Sequence, residues 1–155
     1  MPDPVVPPVI KDPATYAKFP AGTRVSWGPL GTTLEKAALL QSAMSLGTIG
    51  QKGSFLKISR LIDTSPKYIG DMGEGEDLTF TFIDDTSDKD QMAFMASAVK
   101  KEAAVMFIEY PNKEVANLTL ALAGFARQAI DGPDGKILQV EVYAKQNDIK
   151  WTTNT

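Results

Sequence analysis

Two spacings of apolar residues organise this chain. In "DLTFTFID", Leu78, Phe80 and Phe82 alternate with Thr79, Thr81 and Ile83. A period of two predicts a strand that buries one face. The same period predicts a strand over about 54–63, where Leu56, Ile58 and Ile62 alternate with Lys57, Ser59 and Leu61. It recurs in "VANLTLALAGFARQAI" through Leu118, Leu120 and Leu122. In "KILQVEVYAK", Leu138, Val140 and Val142 oppose Gln139, Glu141 and Tyr143. Shorter strands are predicted at "TRVSW" (23–27), at "AVMFIEY" (104–110) and around Trp151.

The helical period is clearest in "DDTSDKDQMAFMASAVKK". Met92, Met95, Ala96 and Val99 fall on one predicted face, Asp88 with Gln91 forms a capping box, and Lys100 and Lys101 suit the C-terminal dipole. This predicts a helix over about 87–101. Local signals also favour a helix over 33–44, with Thr32 and Glu35 as a capping box and Gly47 beyond its end.

Turn signals such as "PNK" and "DGPDGK" join the later strands, with no room for crossover helices. The expected fold is mainly β (α+β): an antiparallel β-sandwich or partly closed barrel with one flanking α-helix. It carries an extended, proline-rich N-terminal arm (1–22) and a single domain (23–155) with a long inter-strand loop (64–77). Six of the ten prolines fall within the first twenty residues, which favours extended backbone there.

Composition narrows function by exclusion. With no cysteine and no histidine, thiolate chemistry, Ser-His-Asp catalysis and histidine-dependent zinc sites drop out. A formal net charge of −3, with the basic residues dispersed, argues against a general nucleic-acid or anionic-membrane binder. The N-terminus lacks signal-peptide character and no apolar run has membrane-spanning length, so a product of the cytoplasm without a cleaved leader is expected.

Four constellations could carry chemistry. The loop "YIGDMGEGED" holds Gly70, Gly73 and Gly75, but the order departs from a dinucleotide fingerprint and its acids would repel phosphate. "DDTSDKD" is rich in acid, yet counting from Asp84 the sixth position is Lys89 and the twelfth Met95, where a calcium loop needs glycine and glutamate. Among nineteen acidic residues no carboxylate pair is marked by an apolar pocket. Trp27 and Trp151 could form a sugar platform, although packing is the simpler use. No cofactor and no metal is expected.

The run "SLGTIGQKGSFLKISRLIDTSPKYIGDMGEGEDLTFTF" (45–82), followed in order by "SDKDQMAFMASAVKK", "VMFIEYPN", "LTLALAGFARQ" and "DGKILQVEVYAKQNDIKW", resembles the tail tube (major tail) proteins of long, non-contractile-tailed bacteriophages. The similarity spans about 45–151 and lies in the order and spacing of the whole set. It implies a structural, non-enzymatic virion protein assembled in the host bacterial cytoplasm. It implies hexameric rings whose inner sheets join into one barrel and stack into a hollow tube that conducts DNA. It implies a tape-measure protein inside, and terminator and distal tail proteins at the ends. Tubes of contractile phages and of type VI secretion share the fold. The resemblance also implies extended backbone over 41–49, against the local helix signals. It gives the early loop, here with Lys67, Tyr68, Asp71, Glu74 and Glu76, to contact with an adjacent ring.

Such a bore must pass DNA without holding it, which favours a neutral or acidic wall. Thr79, Thr81, Gln139 and Glu141 are lumen candidates because they lie opposite apolar faces; Lys57 and Ser59 are weaker ones. The alternatives are a β-sandwich ligand-binding domain, for instance for carbohydrate, and a carboxylate-dependent hydrolase.

Overall fold

The computed structural model describes residues 6–18, 20–130, 132–133 and 137–153. The first five residues of the arm, Phe19, most of the "DGPDGK" turn and the last two residues lie outside them.

Seven strands form one antiparallel sheet: β1 (Arg24–Pro29), β2 (Ala38–Leu39), β3 (Ala43–Ser45), β8 (Asp77–Ile83), β9 (Ala103–Glu109), β10 (Glu114–Arg127) and β11 (Gln139–Thr153). Their spatial order is β2-β1-β9-β10-β11-β8-β3. Four short strands, β4 (Gln51–Lys52), β5 (Phe55–Lys57), β6 (Tyr68–Gly70) and β7 (Glu74–Gly75), pair outside this sheet. One α-helix, α1 (Lys89–Val99), lies among the described residues.

The sheet must curl. β2 and β3 are its opposite edges, which in a flat sheet would stand roughly 29 Å apart at the usual strand spacing. Yet Leu39 and Ala43 are four residues apart in sequence, a link that spans at most about 14 Å. Phe94 of α1 gives a second proof. Its ring lies 5.1 Å from Trp27 on β1 and 5.9 Å from Phe82 on β8, strands four places apart in the sheet. The expected partly closed barrel is thus a half-barrel wrapped around α1.

Alternation filled the concave side. Leu78, Phe80, Phe82, Val140, Val142, Leu118, Leu120 and Leu122 are all buried, joined by Met106, Ile108, Val25 and Trp27. Full burial of such side chains stabilises by about 1.5–3 kcal/mol each. Leu138, expected with Val140 and Val142, precedes β11 and is exposed. Trp151 belongs to β11 itself, not to a separate strand.

β10 and β11 have 14 and 15 residues, long enough that they must bend. Their register slips twice, between Thr119 and Leu120 and between Leu122 and Phe125. The second slip is a bulge at Gly124, whose φ of +99° suits glycine.

Three expectations are corrected. The helix expected over 33–44 is a single 3-10 turn, Leu34–Lys36, followed by β2 and β3. Thr32 donates its hydroxyl to the Pro29 carbonyl and caps nothing, while Ala38 and Leu39 pair with Trp27 and Ser26. Sheet pairing outweighs local propensity here, as the family resemblance implied. The strand expected over 54–63 ends at Lys57, because Arg60 and Asp63 close a turn. Finally, α1 buries Gln91, Phe94, Met95 and Ala98, while Met92, Ala96 and Val99 are exposed. Asp88 does cap α1, accepting from the N–H groups of Asp90 and Gln91. The Gln91 amide does not reach back to Asp88. It bridges the Asp85 N–H and the Ile83 carbonyl instead.

Candidate assembly surfaces

The 64–77 segment is not a free loop. It is the returning half of a hairpin ribbon that leaves the sheet at Gly50 and rejoins it at Glu76. Gln51 and Lys52 pair with Gly75 and Glu74; Phe55, Leu56 and Lys57 pair with Gly70, Ile69 and Tyr68. The ladder extends to the Ile58 N–H, which donates to the Lys67 carbonyl. At the tip the Ser59 hydroxyl accepts from the Lys67 N–H, and the Arg60 guanidinium grips Asp63 at 2.9 Å. That grip holds the Asp63 carboxyl below its ordinary pKa. Gly50 to Ser59 can reach up to about 30 Å.

The ribbon buries none of its residues, and a lone two-stranded ribbon is marginal in water. Even so, it exposes Phe55, Leu56, Leu61, Ile62, Ile69 and Met72. Exposed apolar side chains concentrated on one projecting element are unusual for a surface left to water. The sequence signal for them is the adjacent pairs Phe55-Leu56 and Leu61-Ile62, which leave neither face of the ribbon polar.

The five loop candidates all fall on this ribbon's return. Lys67 and Tyr68 lie near the tip, and Asp71 accepts from the Met72 N–H. Glu74 and Glu76 sit at the root, already engaged. Lys145 donates to Glu74 at 2.8 Å and stands 3.5 Å from Asp77, so its pKa is raised, first by the hydrogen bond to Glu74. The Glu76 carbonyl accepts from Gln146. Lys57 and Ser59 also belong to the ribbon, apart from the sheet face with which they were grouped.

Thr79, Thr81, Gln139 and Glu141 do share one face of the sheet. Glu141 pairs directly with Thr81, and Tyr143 with Thr79. Glu141 accepts from the Tyr143 hydroxyl and from the Gln128 amide, both at 3.0 Å, and that bond raises the Tyr143 pKa. This face points away from the side on which α1 packs.

Other candidates are absorbed by structure. Asp84 pairs with Arg127, Asp85 accepts from Ser87, and Asp88 caps α1, which accounts for the acidic run. Trp27 is 6% exposed and packs in the core, so it offers no sugar platform. Trp151 stacks on Tyr110 at 6.0 Å. Beyond Gln146, β11 pairs with β10 alone among the described residues, so its other edge is open over 148–153.

A curled sheet with a projecting apolar ribbon, an open strand edge and a polar face defines a self-assembling structural protein. Its family follows from the sequence: residues 18–154 match the phage tail tube protein family, and the chain belongs to it as a structural subunit of a tail tube. No curated protein matches the chain. Among solved structures, it is similar to a chain of the sheath–tube complex of an extracellular contractile injection system in the extended state (TM-score 0.67, 9% identity, covering 91% of this chain and 95% of that one). It is similar to a chain in the tail of an empty gene transfer agent particle refined with C6 helical symmetry (0.66, 9%, 90% and 100%). It is also similar to the SPP1 tail tube protein (0.62, 9%, 85% and 77%).

Proposed function

We propose that this chain forms hexameric rings that stack into the hollow tube of a long, non-contractile phage tail, through which DNA passes into the host. The observation that carries the reading is the ribbon over 50–76: apolar, exposed, coreless and up to about 30 Å in reach. A ring closes by heterologous contacts and a stack adds a second contact that does not close. The open β11 edge suits the first, since an unpaired edge accepts another strand. The ribbon and the proline-rich arm suit the second.

The face bearing Thr79, Thr81, Gln139 and Glu141 lines the bore in this reading, and α1 faces outward. Along β8 and β11 this face carries Asp77, Glu141 and Asp148 against Lys145 and Lys150, and Lys145 is held by two carboxylates, so acids outnumber the cations that would arrest phosphates. The sixfold symmetry of the similar gene transfer agent tail supports six subunits per ring. The subunit works by assembly and not by catalysis. A tape-measure protein occupies the bore during assembly in the bacterial cytoplasm, terminator and distal tail proteins close the ends, and the product resides in the virion tail.

Negative-stain microscopy of the purified protein at rising concentration tests the proposal. Hollow tubes with sixfold end views are expected. A monomer at every concentration overturns it.

A further inference from the structure

We propose that Gln146 is the positioning residue that sets the exit angle of the 50–76 ribbon and, through it, the spacing between rings; the second half rests on the tube reading above.

Along β11 the inward positions run Val140, Val142, Ala144, Gln146: three apolar residues, then an amide that is 1% exposed. Its bonds all go to the ribbon's root. Nε2 donates to the Thr48 carbonyl at 2.8 Å and to the Glu76 carbonyl at 3.1 Å, and Oε1 accepts from the Gly50 N–H at 3.0 Å. One side chain therefore ties the outgoing strand at two points and the returning strand at a third. The opposite amide orientation would set oxygen against two carbonyls, so the geometry selects a single arrangement.

Gly75 makes the approach possible. A Cβ there would stand 1.8 Å from the Gln146 carbonyl oxygen. The root is thus seated directly on the β11 backbone, beside the slipped register between Thr119 and Leu120. Farther out, the ion pair of Glu74 with Lys145 is exposed and no residue from 51 to 74 is buried, so the buried amide of Gln146 is the firmer anchor. Leverage makes the root decisive. Over a reach of about 30 Å, a swing of about 10° moves the tip by about 5 Å, one full strand spacing. A tip displaced that far misses its contact on the next ring.

The absence of native cysteine allows a clean test. Spin labels on Leu61→Cys, at the tip, and Met92→Cys, on the exposed side of α1, report the ribbon angle in the dilute subunit by pulsed electron resonance. The parent pair is expected to give a narrow distance distribution. Gln146→Met, which conserves volume and keeps the core apolar, is expected to broaden it while the melting curve stays cooperative. Gln146→Glu at pH 7.5 sets a carboxylate against two carbonyls and is expected to broaden it further; near pH 5 a protonated carboxyl can donate again, and the distribution narrows. Unchanged widths in both variants overturn the proposal. In the assembly arm, both variants are expected to lose tubes by at least about ten-fold or to form them with altered rise and twist. Broadened widths with parental tubes overturn the link to ring spacing. Should the parent itself form no tubes, the tube reading fails while the widths still decide the role of Gln146.

Discussion

Trp27 and Phe94 meet with ring centroids 5.1 Å apart and planes tilted by 55°, joining the first strand of the curled sheet to its helix. Phe80 and Phe82 approach the same Phe94 ring edge-on from the other side of the half-barrel. Phe94→Ala should therefore destabilise the subunit by about 3–5 kcal/mol. Met92→Ala, on the exposed side of α1, should change stability by no more than about 0.5 kcal/mol. Chemical denaturation of both variants checks the pair.

None of the ribbon's apolar residues is buried within the subunit. Leu61→Ser with Ile62→Ser should leave folding stability within about 0.5 kcal/mol of the parent. Tube formation should fall by at least about ten-fold, as loss of a central apolar contact does at other interfaces. Sedimentation of polymer at matched concentrations separates the two effects.

Glycine is required at one ribbon position and not at another. Gly75→Ala drives a methyl into the Gln146 carbonyl and should cost about 1–3 kcal/mol. An added Cβ at Gly70 meets nothing within 4 Å, so Gly70→Ala should be close to neutral. Thermal melts of the two variants, with hydrogen exchange at the root, make the comparison.

A single cysteine can report which face lines the bore. Thr79→Cys should react with a bulky maleimide in the free subunit and resist it within assembled tubes. Met92→Cys should stay reactive in both, because α1 lies on the opposite side of the sheet. Equal protection of both positions would contradict the proposed orientation.

The tip turn has a pH dependence of fixed sign. Hydrogen bonds from Arg60 lower the Asp63 pKa from its ordinary 3.8. The stabilisation is present above the unfolded value and is lost as pH falls through the lower folded one. An NMR titration should find Asp63 below the ordinary value, and Arg60→Ala should return it upward.

The sequence showed most of the half-barrel because alternation reports burial directly: Phe80, Phe82, Val140 and Val142 fell where period two put them. The stripe of α1 was misjudged by one position, since choosing Met92 as its start hid Phe94 and made Gln91 a cap instead of a buried bridge. The stretch around 33–44 misled because capping residues act locally, whereas pairing of Ala38 and Leu39 with β1 depends on residues more than ten places away. At the assembly surfaces, the glycines and acids of 64–77 read as a long loop because they break any alternation, although the segment returns as β6 and β7. The outgoing strand was mistaken for core because Phe55, Leu56 and Ile58 are as apolar as a buried strand. Gln146 gave no sign, since an amide in an alternating run reads as an ordinary interruption.

The bulge at Gly124 reverses the phase of β10. Even-numbered Leu118, Leu120 and Leu122 face inward before it, while after it Phe125 packs toward the core and Ala126 lies opposite Glu141. Arg127 is thereby tucked beside Asp84, 3.3 Å away. Were Gly124 paired as an ordinary strand residue, every later residue would shift by one and the Arg127 guanidinium would turn onto the face that carries Glu141. In the proposed tube, a lone residue of slack thus decides whether that spot on the wall is a neutral methyl or a further cation.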